Sequence, residues 1–236
     1  MNQQKVNPSR TAKLAGFLYV SLIPLGVFGI MYIPNNLIVS GNMAATVALI
    51  MEHELIFRLS ILSAFTVQLV NLVLVFLLYQ LLKPVNKRYA ALMVMCILVA
   101  APIAMLNELN LLAVLMLLSG SEYLAVFNVD QIHSMISVLL EMHELGIQIA
   151  SIFWGLWLLP MGYLIIKSGY LPKIIGVLLI VASFGYLVDS INAFIFPNVG
   201  IQFSEFLFLG EILIAFWLAI KGVDVNQWQK RSLVME

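Results

Sequence analysis

The chain has 236 residues, of which 62% are hydrophobic and only 10% charged, and its formal net charge is zero. A soluble domain is about one quarter charged, so the composition excludes one, and the balanced charge argues against nucleic acid as a partner. The length is short for a transporter made of two large repeats and suits a single bundle of about five to seven membrane helices.

Of the 12 Lys and Arg residues, all but Arg58 fall in four short patches: Lys5/Arg10/Lys13, Lys83/Lys87/Arg88, Lys167/Lys173 and Lys221/Lys230/Arg231. The chain between one patch and the next is long and apolar enough to cross a bilayer twice. That is the positive-inside pattern of a multi-pass protein with both termini in the cytoplasm. Residues 1–13 read as a cytoplasmic tail. The apolar stretch after them is signal-like but carries no small-residue cleavage site, so a retained signal anchor is predicted.

The first span is predicted over 14–33, stopped by Pro34-Asn35-Asn36. Residues 41–54 have helical apolar spacing and few charges, which predicts a short helix on the outer surface. The second span, 55–82, runs into the basic turn Lys83-Pro84-Val85-Asn86-Lys87-Arg88, and the third, 89–118, ends at Ser119-Gly120. From Asp130 no proline occurs before Pro160, which predicts one helix of about 37 residues, roughly 55 Å against a hydrocarbon layer of ~30 Å. Its first third must lie outside, so 131–141 reads as an amphipathic surface helix and the fourth crossing starts near His143. The fifth span is predicted over 174–196 and the sixth over 203–220, with 223–236 as a second cytoplasmic tail. The predicted fold class is all-α: a polytopic membrane domain over 14–222 with six transmembrane helices and two short outer-surface amphipathic helices. Tyr89, Tyr170 and Trp228 flank the inner ends as interface anchors.

An ionisable side chain near the bilayer centre costs at least about 2.5 kcal/mol, so those inside the spans are the best functional clues. Counted from the inner patches at 1.5 Å per residue, Glu211 lies near the midplane and Asp189 roughly 24 Å up, while Asn107, Glu108 and Asn110 lie somewhat nearer the outer edge. His143 and Glu144 open the fourth crossing at its outer end; Glu54 and Arg58 open the second. The expected site is an outward-facing polar pocket holding Arg58, Asn107, Glu108, Asn110, His143, Asp189, Asn192 and Glu211. Arg58 is its one fixed positive charge and could fork onto Asp189 or Glu108, although Glu54 lies within reach on its own helix; losing Arg58 is expected to destabilise the fold. At least one carboxylate should then hold a proton or a cation, and Glu211, the deepest, is the first candidate. The same residues could instead fix helix register by interhelical hydrogen bonds.

Cys96, the sole cysteine, sits in an apolar run, so there is no intrachain disulfide and no CxxC metal site. His53, His133 and His143 lie on the predicted outer side among acidic neighbours, and a set such as His143, Glu144 and Asp189 could hold a divalent metal such as zinc. That would suit a membrane hydrolase at the outer interface. No HExxH, no histidine pair at i, i+4 and no Walker, GxGxxG or GxSxG motif supports catalysis. A non-enzymatic protein without a cofactor is therefore the favoured reading, binding a small polar or cationic ligand or a proton for binding, sensing or transport. The alternatives are the hydrolase and an accessory subunit of another membrane protein. Membrane lipid is the expected partner, including anionic headgroups at the basic turns.

Several segments carry a resemblance: Phe57-Arg58-Leu59, Leu82 to Lys87, Asn110 to Gly120, Gly162 to Pro172, Gly185 to Ser190, Gly210-Glu211, and Trp217 to Gly222. Together they resemble the uncharacterised bacterial membrane family known as domain of unknown function 4386, over residues 10–222. The resemblance implies a polytopic protein of a bacterial inner (cytoplasmic) membrane and brings no activity with it. The family pattern includes the positions occupied here by Arg58, Asn110, His143, Asp189 and Glu211. Members often carry an acid early in the second span where this chain has Ser63-Ala64, so no reading that needs a carboxylate there has support.

Overall fold

The computed structural model describes residues 7–196 and 202–233, and every regular element among them is helical. The helices are α1 (Pro8–Gly26), α2 (Tyr32–Asn36), α3 (Met43–Glu52), α4 (Glu54–Leu82), α5 (Lys87–Asn107), α6 (Leu109–Leu118), α7 (Val129–Ser168), α8 (Lys173–Ile195), α9 (Ser204–Leu207), α10 (Leu209–Ile220) and α11 (Val225–Leu233). Five stretches are long and apolar enough to cross a membrane: Pro8–Asn36, Glu54–Leu82, Lys87–Leu118, Val129–Ser168 and Lys173–Ile195. The chain thus has the make-up of a multi-pass membrane protein. The segment expected as a sixth span forms α9 and α10, parted at Phe208. With 12 residues, α10 is about 18 Å long, short of the hydrocarbon thickness. The Pro197-Asn198 stop and residues 1–6 lie outside the described residues.

Local chemistry sets the ends. Asn86 Oδ1 accepts from the backbone N–H of Arg88 and Tyr89 and so starts α5. At the head of α7, Asn128 and Gln131 each accept the other's backbone N–H at 2.9 Å, a reciprocal capping box. With no interruption after that cap, the predicted surface helix over 131–141 is simply the first part of the 40-residue α7. Residues 41–54, by contrast, do yield a separate helix: Asn42 caps α3, and His53 parts it from α4.

The first stretch ends at Asn36, inside the expected Pro34-Asn35-Asn36 stop, with Pro34 itself still helical. A π-helical stretch, Val27–Met31, precedes α2, and such a wider turn re-routes the backbone hydrogen bonds that a following proline would otherwise strand. The carbonyl of Leu25 accepts the Ser63 hydroxyl at 2.9 Å. There the chain also runs against α4 so closely that a Cβ on Gly29 would meet the backbone N of Ala64 at 2.6 Å.

The chain divides into two compact units. Unit 1 comprises Met1–Leu22, Val70–Ala101 and Gln148–Glu236, around a core that includes Leu78, Met93, Ile97, Trp157, Met161, Leu179 and Ile214. Within it, Gly16 of α1 backs directly onto the backbone of Leu218 and Ala219 in α10. The Leu81 carbonyl accepts both the Tyr170 hydroxyl at 2.6 Å and Trp228 Nε1 at 2.9 Å. Arg231 donates to the Lys167 carbonyl at 2.9 Å. These contacts gather the start of α1, the turn after α4, the end of α7 and α11 at one end of the unit, and the described members of all four basic patches gather with them. Tyr170 and Trp228, expected as interface anchors, are buried, and both donate to the one Leu81 carbonyl. Tyr89 stays exposed beside Tyr163, with ring centroids 4.6 Å apart.

Unit 2 comprises Ile23–Leu69 and Pro102–Ile147. Its core packs Ile33, Ile50, Phe57, Ile61, Leu111, Val114, Ile136 and Leu140.

Candidate functional site

The polar residues named from the sequence form distinct clusters, each inside one unit. In unit 1, Glu211 stands in the first turn of α10. Its Oε1 accepts the Tyr186 hydroxyl at 2.9 Å and its Oε2 accepts the Tyr19 hydroxyl at 3.0 Å. Tyr19 is buried and tilts against the indole of Trp157, with ring centroids 6.0 Å apart. Among the described residues no basic side chain pairs with Glu211. Each carboxylate oxygen is therefore met by a neutral donor on a different helix, Tyr19 on α1 and Tyr186 on α8.

One turn beyond Tyr186, Asp189 does a different job. Its two oxygens accept the backbone N–H of Phe203 and Ser204, each at 2.7 Å. Helix starts leave backbone N–H groups unpaired, and a carboxylate there is stabilised both by hydrogen bonds and by the helix dipole. Asp189 thus caps α9 from a neighbouring helix. Gly185 makes room for this approach: a Cβ there would meet the backbone of Ser204 at 3.2 Å. Ser190 donates to the carbonyls of Gln148 and Tyr186, and Asn192 is half-buried on the same helix.

In unit 2 the structure brings together Asn107, Glu108, Asn110 and His143. Asn107 Nδ2 donates to the His143 carbonyl at 2.8 Å, and Asn110 Nδ2 donates to the Asn107 carbonyl and to its Oδ1, both at 3.0 Å. His143 Nε2 lies 3.3 Å from Glu108 Oε1, with Glu108 2% and His143 8% exposed. Gly146, three residues past His143, lies directly under the Asn107 carboxamide, and a Cβ there would collide with it. The polar break at Asn107-Glu108, where α5 gives way to α6, is thereby tied to α7. Glu108 Oε2 is buried with no hydrogen-bond partner among the described residues.

Arg58 does not take the forked pairing with Asp189 or Glu108 that its charge allowed. It pairs with Glu54 at 2.7 Å, and both side chains are about half exposed. An exposed pair at this spacing contributes roughly 0.2–1 kcal/mol, so this contact gives the destabilisation expected on removing Arg58 no more than that size. Glu144 is exposed, and among the described residues no group of three or more His, Cys, Asp or Glu side chains gathers as a metal site would require.

Sequence reasoning did not single out Tyr19 and Tyr186. The signal was available: a tyrosine within an apolar span must find a partner for its hydroxyl, and residue counts from Lys13 and Lys173 put both at depths within reach of Glu211.

A model of a protein family described as a domain of unknown function, DUF4386, matches residues 14–222. An uncharacterised protein of the archaeon Archaeoglobus fulgidus is 31% identical over 168 residues, spanning 71% of this chain and 86% of the relative. No solved structure matches.

Proposed function

Because the chain belongs to the DUF4386 family, whose description assigns no activity, we propose a function from its own chemistry: reversible binding of a proton or a small cation at Glu211, in a multi-pass membrane protein that binds, senses or transports it. One observation carries this reading. The Glu211 carboxylate is held by two phenols and pairs with no basic side chain among the described residues. A carboxylate within an apolar bundle is poorly solvated, and without a fixed counter-charge it holds either a proton or a mobile cation. The oxygens of Glu211, Tyr19 and Tyr186 make an all-oxygen donor set, which suits a proton or a hard cation.

The proposed topology has six crossings, α9–α10 being the last, with both termini in the cytoplasm of a cell bounded by a bacterial-type cytoplasmic membrane. Support comes from the gathering of the basic groups at one end of unit 1, as the positive-inside rule requires. In this topology Asn107 and His143, counted along their own helices from the basic turns, fall toward the outer ends of their crossings, and Asn107 ties the two together.

Infrared difference spectroscopy of the protein in lipid tests the Glu211 assignment. A carboxyl band that responds to pH or to added sodium or potassium should be present in the wild type and absent from Glu211→Gln. If the two proteins give identical difference spectra, Glu211 is not the binding group.

A further inference from the structure

Unit 2 contains an open apolar groove of about 550 Å³, within the range of roughly 300–1,000 Å³ found for small-ligand sites. Ala113, Met116 and Leu117 of α6 form one wall, and Met135, Val138 and Leu139 of α7 the other. Ser134, the polar residue at its edge, spends its hydroxyl on the Asp130 carbonyl at 2.8 Å. The groove therefore offers apolar contact and little hydrogen bonding.

We infer that this groove takes the acyl chain of a bilayer lipid whose headgroup carries no net negative charge. Continuity with the lipid-facing surface is the first reason. Met135, Val138, Met142 and Leu145 are all exposed and follow one another along α7 at spacings of three and four, which places them on one helical face. Leu106, Leu109 and Met116 form a matching exposed series on α5 and α6. Both series lead from the groove down into the apolar part of the helices, passing the exposed Glu141 at the edge of the α7 series.

Height is the second reason, and it rests on the topology proposed above. Val138 lies 29 residues before Lys167 on α7, about 43 Å along the helix, whereas the hydrocarbon layer is ~30 Å thick. The groove thus stands above the hydrocarbon, where lipid tails do not cover it by default and an apolar surface this open marks a binding site. Charge selects the occupant. Asp130 and Glu141 are exposed on the groove side of α7, four residues before Ser134 and three after Val138, and Glu122 is exposed two residues from Leu124. An acidic rim repels an anionic headgroup and accepts a zwitterionic one.

The test uses the full-length protein in nanodiscs with phosphatidylcholine carrying a photoreactive diazirine at the chain end, and maps adducts by peptide mass. Adducts are expected at residues 113–117 and 135–139, besides those on the exposed apolar face of α8 around Val177 and Phe184. Ala113→Trp, which fills the groove, and Val138→Asp, which makes its wall polar, should each cut the groove adducts about tenfold while the α8 adducts persist. The matching phosphatidylglycerol probe should label the groove less than phosphatidylcholine does. Adducts on α8 with none in the groove, or groove adducts that survive both substitutions, would overturn the inference. Equal labelling by phosphatidylglycerol would overturn the headgroup assignment. Absence of α8 adducts in the wild type would overturn the topology, and the groove's route to lipid with it.

Discussion

Tyr186 of α8 donates its hydroxyl to Glu211 of α10 at 2.9 Å, and three residues later on α8 Asp189 holds the start of α9 by two backbone hydrogen bonds. A single helix face thus fixes both the carboxylate and the entry of the segment that carries it. Replacing Tyr186 by Phe leaves one carboxylate oxygen without its donor. Hydrogen bonds to charged groups contribute about 1.5–3 kcal/mol, and since both partners are only partly buried, a loss of about 1–2 kcal/mol is expected in denaturant unfolding. Because Tyr19 also donates to Glu211, Glu211→Leu should recover part of the loss only in a Tyr19→Phe/Tyr186→Phe background, where no hydroxyl is stranded. Additive losses would show that the two groups are not coupled.

Asp189→Ala should act locally. The N–H groups of Phe203 and Ser204 lose their acceptor, and a lost cap costs roughly 0.5–2 kcal/mol. Amide exchange at 203 and 204 should accelerate markedly, while exchange in the buried middle of α8, around Leu179, stays slow. Asp189→Asn keeps one acceptor oxygen and should fall between the two. Uniform acceleration across α8 would mean that Asp189 supports the whole helix rather than the cap.

Gly146 and Asn107 form a steric pair. Gly146→Ala should destabilise by about 1–3 kcal/mol through overpacking. In the double variant with Asn107→Ala the obstruction is gone, so the two effects should be non-additive by about 0.5–3 kcal/mol. Additivity within about 0.5 kcal/mol would show that the carboxamide does not occupy this position in solution.

Tyr170, in the turn between α7 and α8, supplies a pH dependence. Burial pushes its phenol well above the ordinary value of 10.0, outweighing the opposing pull of Arg231. A group whose folded-state value is raised contributes stability that is complete below its unfolded value and is lost as pH rises beyond it. The wild type should therefore lose stability above pH ~10 more steeply than Tyr170→Phe. The variant should also be weaker by about 1 kcal/mol at neutral pH for its missing hydrogen bond; the loss stays modest because Leu81 keeps its bond from Trp228. Parallel pH profiles would remove Tyr170 as the cause.

Membrane residence, helical class and the grouping of the basic turns were all decided by composition and by where charge falls along the chain. Hydrocarbon enforces internally bonded helices and penalises charge, so these features need no knowledge of partners. The ionisable residues inside the apolar helical segments were identifiable on the same ground, Glu211, Asp189, Glu108 and His143 among them. Their partners were not. Tyr19 lies 192 positions from Glu211, Ser204 lies 15 from Asp189, and Gly146 lies on a different helix from Asn107. Which hydroxyl, backbone N–H or glycine faces a given carboxylate or carboxamide depends on how each helix is rotated and where helices cross, and those are set by side-chain packing between segments remote in sequence. Residue counts along the chain register depth alone, so the sequence could mark Glu211 as the carboxylate most in need of a proton or a cation, and only tertiary structure could set two phenols against it.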